Sequence, residues 1–224
     1  MDKATFEKIE FYMDSCMSDS AHDREHVYRV LYNALYIAQS EKNVDTDVLI
    51  AACLLHDIGR KEQFEDPTLD HAAVGGDKAY AFLTGAGFGA DFAEKVRACI
   101  VTHRFRKNAP PISTEAKILF DADKLDVTGA MGIARTLVYK GGVGDPLYSL
   151  GADGMPTTGE SDDKPSFFQE YHYKLKNLYG RFYTESGRSL AEKRRAAAEN
   201  FYGNLFDEVK SAYERGVDIL KKTL

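Results

Sequence analysis

The residues best suited to chemistry in this chain are histidines and carboxylates. His56 and Asp57 are adjacent in the stretch LLHDIG, directly after the apolar run LIAACLL. Imidazole nitrogen and carboxylate oxygen together favour divalent transition ions. The apolar run predicts that the pair is buried, where a carboxylate without partners would be very costly. Two outcomes satisfy that requirement, a hydrogen-bonded core pair or a metal site, and the dipeptide alone does not choose between them. Neighbours on a helix point about 100° apart, so one ion could touch both only if both side chains leaned towards it.

Other groups could converge on this pair. His26 lies on the preceding helical stretch, and His22 is four residues earlier on the same face, placed to orient its neighbour rather than to bind an ion. Asp121, Asp123 and Asp126 follow the apolar AKILF. Asp123 and Asp126 share a helical face, whereas Asp121 and Asp123 do not. With Lys124 these acids could form a solvated face, but they interrupt a pattern that otherwise reads as buried. His71, His103 and His172 complete the six histidines.

The elements that must position these residues are helical. Val27, Val30, Leu31, Ala34, Leu35 and Ala38 recur three and four apart and predict a helix over 24–39, with Asp19 or Ser20 as its cap. Further helices are expected from Asp45 to His56 with Gly59 as a stop, from Asp70 to the Gly85/Gly87 pair, and from Ala90 to about His103. NAPPI breaks the chain, and Ser113 caps a fifth helix running through Leu125 towards Tyr139. Residues 141–165 are rich in Gly, Pro, Asp and Thr and read as a long loop, a possible lid. Helices over 166–180 and from Gly187 to the end follow. The expectation is one all-α domain over 1–224, with a core of about 20–140 and additional C-terminal helices.

Composition narrows the partners. A formal net charge of -6 gives no general attraction for nucleic acid or an anionic membrane, so an anionic substrate needs a local cation. Cys16, Cys53 and Cys99 match no zinc spacing and are expected as free thiols, Cys53 and Cys99 buried. The amino-terminal segment has acids and no long apolar run, and no stretch approaches membrane-span length, so a cytoplasmic setting is expected. The oligomeric state is not set by the sequence.

The ordered words HDREHVYRV, LLHDIGRK, DHAAVGG, IVTH and LFDADKLD resemble the motifs of the HD-domain superfamily of metal-dependent phosphohydrolases. The likeness is strongest to its small stand-alone members of the YpgQ/YedJ type, whose tail is similar to the stretch from HYKLKNL to SGRSLAEKRRAAAENF. The resemblance implies an HD-type helical bundle and four metal ligands, His26, His56, Asp57 and Asp123. Such a donor set suits Mn, Fe, Co, Ni or Zn, with Mg also conceivable. The resemblance also implies that His71 and His103 either bind a second ion bridged by Asp57 or line the pocket; one ion is expected ahead of two.

The activity implied is hydrolysis of nucleotides, at a phosphomonoester or at the triphosphate anhydride. A divalent ion lowers the pKa of bound water, giving hydroxide, and polarises a phosphoryl oxygen. Asp57 takes part through the ion, and Lys61 and Lys124 are candidates to neutralise phosphate. Asp126 or His103 could transfer a proton. Arg104, Arg106 and His172 are weaker candidates, each as readily a surface or packing residue. Two alternatives are carried: a di-iron oxygenase of the same fold, which needs His71 and His103 both on iron, and a non-catalytic nucleotide-binding module.

Overall fold

The computed structural model describes residues 1–17, 24–104 and 110–224. It is all-α, and no β-strand forms among the described residues beyond an isolated bridge between Leu150 and Pro156. The chain divides into two compact units, Met1–Asp126 with Phe182–Gly187, and Val127–Arg181 with Arg188–Leu224.

The first unit contains α1 (Lys3–Met17), α2 (Arg24–Ala38), α3 (Thr46–Leu55), α4 (Arg60–Glu65), α5 (His71–Gly85), α6 (Ala90–Thr102) and α7 (Thr114–Leu125). A helix that is apolar all round has to be enclosed. α3 is such a helix: Val48, Leu49 and every residue from Ala51 to Leu55 are buried, with α1, α2, α6 and α7 packed around it. Three polar residues start helices as their types predict, each accepting a hydrogen bond from a first-turn amide: Asp45 from Val48, Asp70 from Ala72 and Ser113 from Ala116. The caps expected at Asp19 and Ser20 lie outside the described residues.

Two helices, α1 and the short α4, escaped the sequence reading. α1 buries Ile9 and Met13, and its Tyr12 stacks on Phe82 of α5 with ring centroids 3.8 Å apart. α4 begins just after Gly59, which is its N-cap rather than the stop expected for α3, since α3 has already ended at Leu55. A Cβ at Gly59 would lie 2.3 Å from the His71 carbonyl oxygen and 2.6 Å from the Gly75 amide nitrogen. Its absence lets the start of α5 rest on the turn that carries His56 and Asp57.

The helix expected from Ser113 to Tyr139 is broken. α7 ends at Leu125 and α8 (Gly129–Gly142) starts afresh in the second unit. Asp126 leaves the helix to meet His26 and Arg29. Gly129 takes the left-handed conformation, φ +60°, where a Cβ would strike Arg194. The helix expected over 166–180 is also divided, into α9 (Phe167–Tyr173) and a 3₁₀ turn, Leu175–Asn177. Residues 149–157 of the long loop form a small hairpin-like turn through Gly151 N to Met155 O and Thr157 N to Ser149 O, 2.8 and 3.0 Å. α10 spans Glu185–Thr223. The second unit has its own aromatic core, in which Phe167, Phe168, Tyr171 and Leu175 pack with Ile133 and Ala198. No helix among the described residues is long and apolar enough to cross a membrane.

Candidate metal centre

Five elements of the first unit bring their ends together. His26 is in the first turn of α2, His56 is the C-cap of α3, His71 is the first residue of α5, His103 is the C-cap of α6, and Asp123 is in the last turn of α7. Because α3 ends at Leu55, His56 and Asp57 stand where helix passes into turn, and both side chains reach the same centre. His26, His56, Asp57, His71 and His103 are each no more than 2% exposed.

The four imidazoles are oriented alike. Nδ1 of His26 lies 2.8 Å from Asp126 Oδ2, that of His56 2.7 Å from Cys53 O, that of His71 2.6 Å from Gln63 Oε1 and that of His103 2.6 Å from Ile100 O. Gln63 is itself oriented, since its Nε2 donates to Leu69 O. All four partners are acceptors, so each Nδ1 carries a proton and Nε2 is left to face the centre. Outer partners of this kind orient metal-binding histidines and fix their tautomer.

The inward atoms form two groups that share Asp57. In the first, Asp57 Oδ2 lies 3.6 Å from Nε2 of both His26 and His56, Nε2 of His26 is 3.4 Å from that of His56, and Asp123 Oδ1 is 3.4 Å from His26 Nε2. In the second, Asp57 Oδ1 lies 3.5 Å from His71 Nε2 and 3.6 Å from His103 Nε2, which are 3.4 Å apart. Most of these distances are too long for good hydrogen bonds. They suit donors surrounding an ion: ligands about 2.1 Å from a tetrahedral centre are about 3.4 Å from each other. Asp57 Oδ2 is buried without a hydrogen-bond partner. A buried carboxylate oxygen left without one would be satisfied by a cation, and the residues present fit a divalent ion.

Electrostatics agree. Burial alone would depress His26, but the surrounding carboxylates of Asp123, Asp126 and Asp57 outweigh it and raise its pKa to about 10. Without an ion, a proton supplies the positive charge that these acids demand. His56 is lowered to about 4, first by burial and then by the neighbouring histidines, against the opposing pull of Asp57. His71 is lowered to about 2 by burial and by Arg60, with Arg104 adding to the effect. Burial works against ionisation of Asp57 and Asp123, yet His56 and Arg60 hold the first, and Lys124 and His26 the second, well below the usual carboxylate range.

The remaining sequence-derived candidates take varied places. Asp126 has both oxygens engaged, by His26 Nδ1 and by a two-pronged contact from Arg29 (2.7 and 3.1 Å), which suits it to hold the imidazole rather than to exchange protons. Lys124 Nζ is 2.7 Å from Asp123 Oδ2. Lys61 is exposed on α4, and its neighbour Arg60 is the base that turns inward, donating from Nε to Asp57 Oδ1 at 2.9 Å. Arg104 pairs with Asp70 at 2.8 Å. Asp121 is fully buried and accepts from the amides of Tyr183 and Thr184 and from Thr184 Oγ1. His172 is in the second unit, bonded to the Tyr202 hydroxyl at 2.9 Å. His22 and Arg106 lie outside the described residues. The cysteines are free, and Cys53 and Cys99 are buried as expected.

Arg29, Arg60 and Gln63 were missed in the sequence. Arg29 is three residues after His26, and Arg60 three after Asp57, a spacing that places side chains together within a helical turn. Gln63 carried no usable signal, because its partner His71 is eight residues away across a turn.

Comparison with known proteins agrees with this geometry. Residues 24–128 match the HD domain family. YpgQ of Bacillus subtilis (strain 168) is 31% identical over 194 residues, covering 84% of this chain and 85% of YpgQ. The crystal structure of B. subtilis YpgQ in complex with ADP superposes with a TM-score of 0.70 at 28% identity, over 91% of this chain and 97% of that one. An HD-superfamily hydrolase from Bacillus thuringiensis superposes with a TM-score of 0.69 at 25% identity, over 92% and 97% of the two chains. With the ordered histidines and acids converging as described, this chain belongs to the HD-domain family.

Proposed function

We propose that this protein is a divalent-metal-dependent phosphohydrolase that acts on nucleotides, at a phosphomonoester or at the triphosphate anhydride. The carrying observation is the unpartnered Oδ2 of Asp57, buried beside the inward nitrogens of His26 and His56. His26, His56, Asp57 and Asp123 would hold the principal ion. A bound divalent ion supplies Lewis acidity and brings the pKa of water towards neutrality.

The protein's own groups do the rest. Asp126 and Arg29 lock the ring of His26, and Cys53 O locks that of His56, so the donors need no rearrangement. Arg60, with a side chain 28% exposed, can offer a guanidinium to phosphoryl oxygens, with Lys61 one residue further along α4. Lys124 offsets charge on Asp123 and is the other candidate for a phosphate contact. His103 keeps Nε2 for an ion or a proton, its Nδ1 being committed to Ile100. The nucleotide part of the reading draws support from the related YpgQ having been crystallised with ADP.

The test is metal analysis of the purified protein, followed by a phosphate-release screen over nucleoside mono-, di- and triphosphates with each of Mn, Fe, Co, Ni, Zn and Mg. Retention of no metal and release from no nucleotide would sink the proposal. Tight nucleotide binding without turnover would make the protein a binding module instead. A second reading has one observation in its favour: the Asp57–His71–His103 group offers donors close enough together to hold the second iron that a di-iron oxygenase would need. Two iron atoms per chain, with oxygen uptake dependent on an organic substrate, would establish that reading over hydrolysis.

A further inference from the structure

The two donor groups are not equivalent, and the difference begins at the oxygens of Asp57. Oδ2, towards His26 and His56, has no hydrogen-bond partner. Oδ1, towards His71 and His103, already accepts from Arg60 Nε at 2.9 Å. The first group also has a second carboxylate, Asp123, with Oδ1 3.4 Å from His26 Nε2. Among the described residues, the second group has two imidazoles and the shared Asp57 as its one carboxylate. A divalent cation there would meet a single carboxylate oxygen with a guanidinium already attached to it. In a buried setting, like charges at such range repel strongly.

A phosphate removes that obstacle. Guanidinium binds phosphate through paired hydrogen bonds, and the Arg60 side chain is 28% exposed, within reach of a solute. A phosphate that engages Arg60 draws it from Oδ1, frees that oxygen for a cation, and contributes negative charge beside it.

We propose that the Asp57–His71–His103 group takes a divalent cation only together with a phosphate-bearing ligand, and that Arg60 makes its filling conditional. The inference rests on the metal reading above. The principal ion is resident, and the second belongs to a cation–phosphate complex, the form in which polyphosphates travel in solution with divalent ions. By linkage, phosphate and the second cation must tighten each other's binding by the same factor.

Equilibrium dialysis of the chelator-stripped full chain against Mn²⁺, at matched free Mn²⁺ with and without inorganic phosphate, tests this. About one Mn²⁺ per chain is expected without phosphate and two with it, phosphate tightening the second ion about tenfold or more. Electron paramagnetic resonance should change from a single-ion spectrum to an exchange-coupled one, since Asp57 joins the two groups. Arg60→Gln should hold the second ion without phosphate, whereas Arg60→Lys, which keeps the charge, should retain the dependence; circular dichroism checks that both fold. One ion under both conditions, two under both, or an Arg60→Gln variant indistinguishable from wild type would each overturn the inference while leaving the principal site standing. Failure to bind any Mn²⁺ would overturn the metal reading and this inference with it.

Discussion

At the scale of residues, Asp57 is the group on which most depends, because its two oxygens serve two sets of histidines. Asp57→Asn replaces one oxygen by an amide donor and removes the charge. Metal retention should be lost, and nucleotide hydrolysis should fall at least about a hundredfold, a loss of about 2.7 kcal/mol in transition-state stabilisation. Elemental analysis and a phosphate-release assay read the two effects separately. Asp126 tests positioning rather than ligation. Asp126→Asn leaves the inward donors in place but weakens the hold on His26 Nδ1, so metal affinity should drop about 10- to 100-fold. A competition titration with a chromogenic chelator would measure it, and unchanged affinity would remove Asp126 from the site's support.

At the scale of elements, the centre exists because helix ends approach closely. Gly59 makes one such approach possible, with the His71 carbonyl and Gly75 amide where its Cβ would be. Both obstacles are backbone, so the cost of Gly59→Ala should be that of overpacking, about 1–3 kcal/mol, with weaker binding of the second, phosphate-accompanied ion as α5 withdraws His71. Urea denaturation and metal titration of the variant check both. Asp121 joins α7 to Tyr183 and Thr184 through three hydrogen bonds. Asp121→Ala removes the acceptor of the buried Thr184 amide and of the half-buried Tyr183 amide and should destabilise by about 1–3 kcal/mol; an effect near zero would show that this anchor contributes little.

At the scale of the whole molecule, the two units have separate reasons for stability. The second has an aromatic core with Tyr171 stacked on Tyr202, ring centroids 4.0 Å apart. The first surrounds α3 with helices but also encloses four histidines and Asp57, whose Oδ2 is buried without a hydrogen-bond partner. Metal binding should therefore act as folding free energy for the first unit. At an ion concentration about a hundredfold above the dissociation constant, the gain is about 2.7 kcal/mol. A chelator should lower the melting temperature by several degrees, restored by readdition of the ion, in differential scanning calorimetry. No shift would mean that the cluster does not bind an ion in the folded state.

The sequence by itself determined the all-α class, the cap at Ser113 and helix starts near Asp45 and Asp70, and its motif words named the histidines and acids that the fold brings together. Those properties are local: a 3.6-residue period, a capping oxygen one turn from its amide, and motif words whose spacing is read along the chain. The dipeptide His56-Asp57 taken alone left a core pair and a metal site equally open, and it was the ordered motifs around it that implied the metal site. Only the tertiary structure decided how the donors divide into two groups about Asp57, that Arg60 rather than Lys61 turns inward, and that Asp126 stands behind His26. These depend on where α3 and α7 stop, on a glycine that lets α5 approach, and on partners up to 100 residues apart, as for His26 and Asp126. Local periodicity does not encode such contacts; packing selects them, because each buried donor or charge must find its partner wherever the fold brings one.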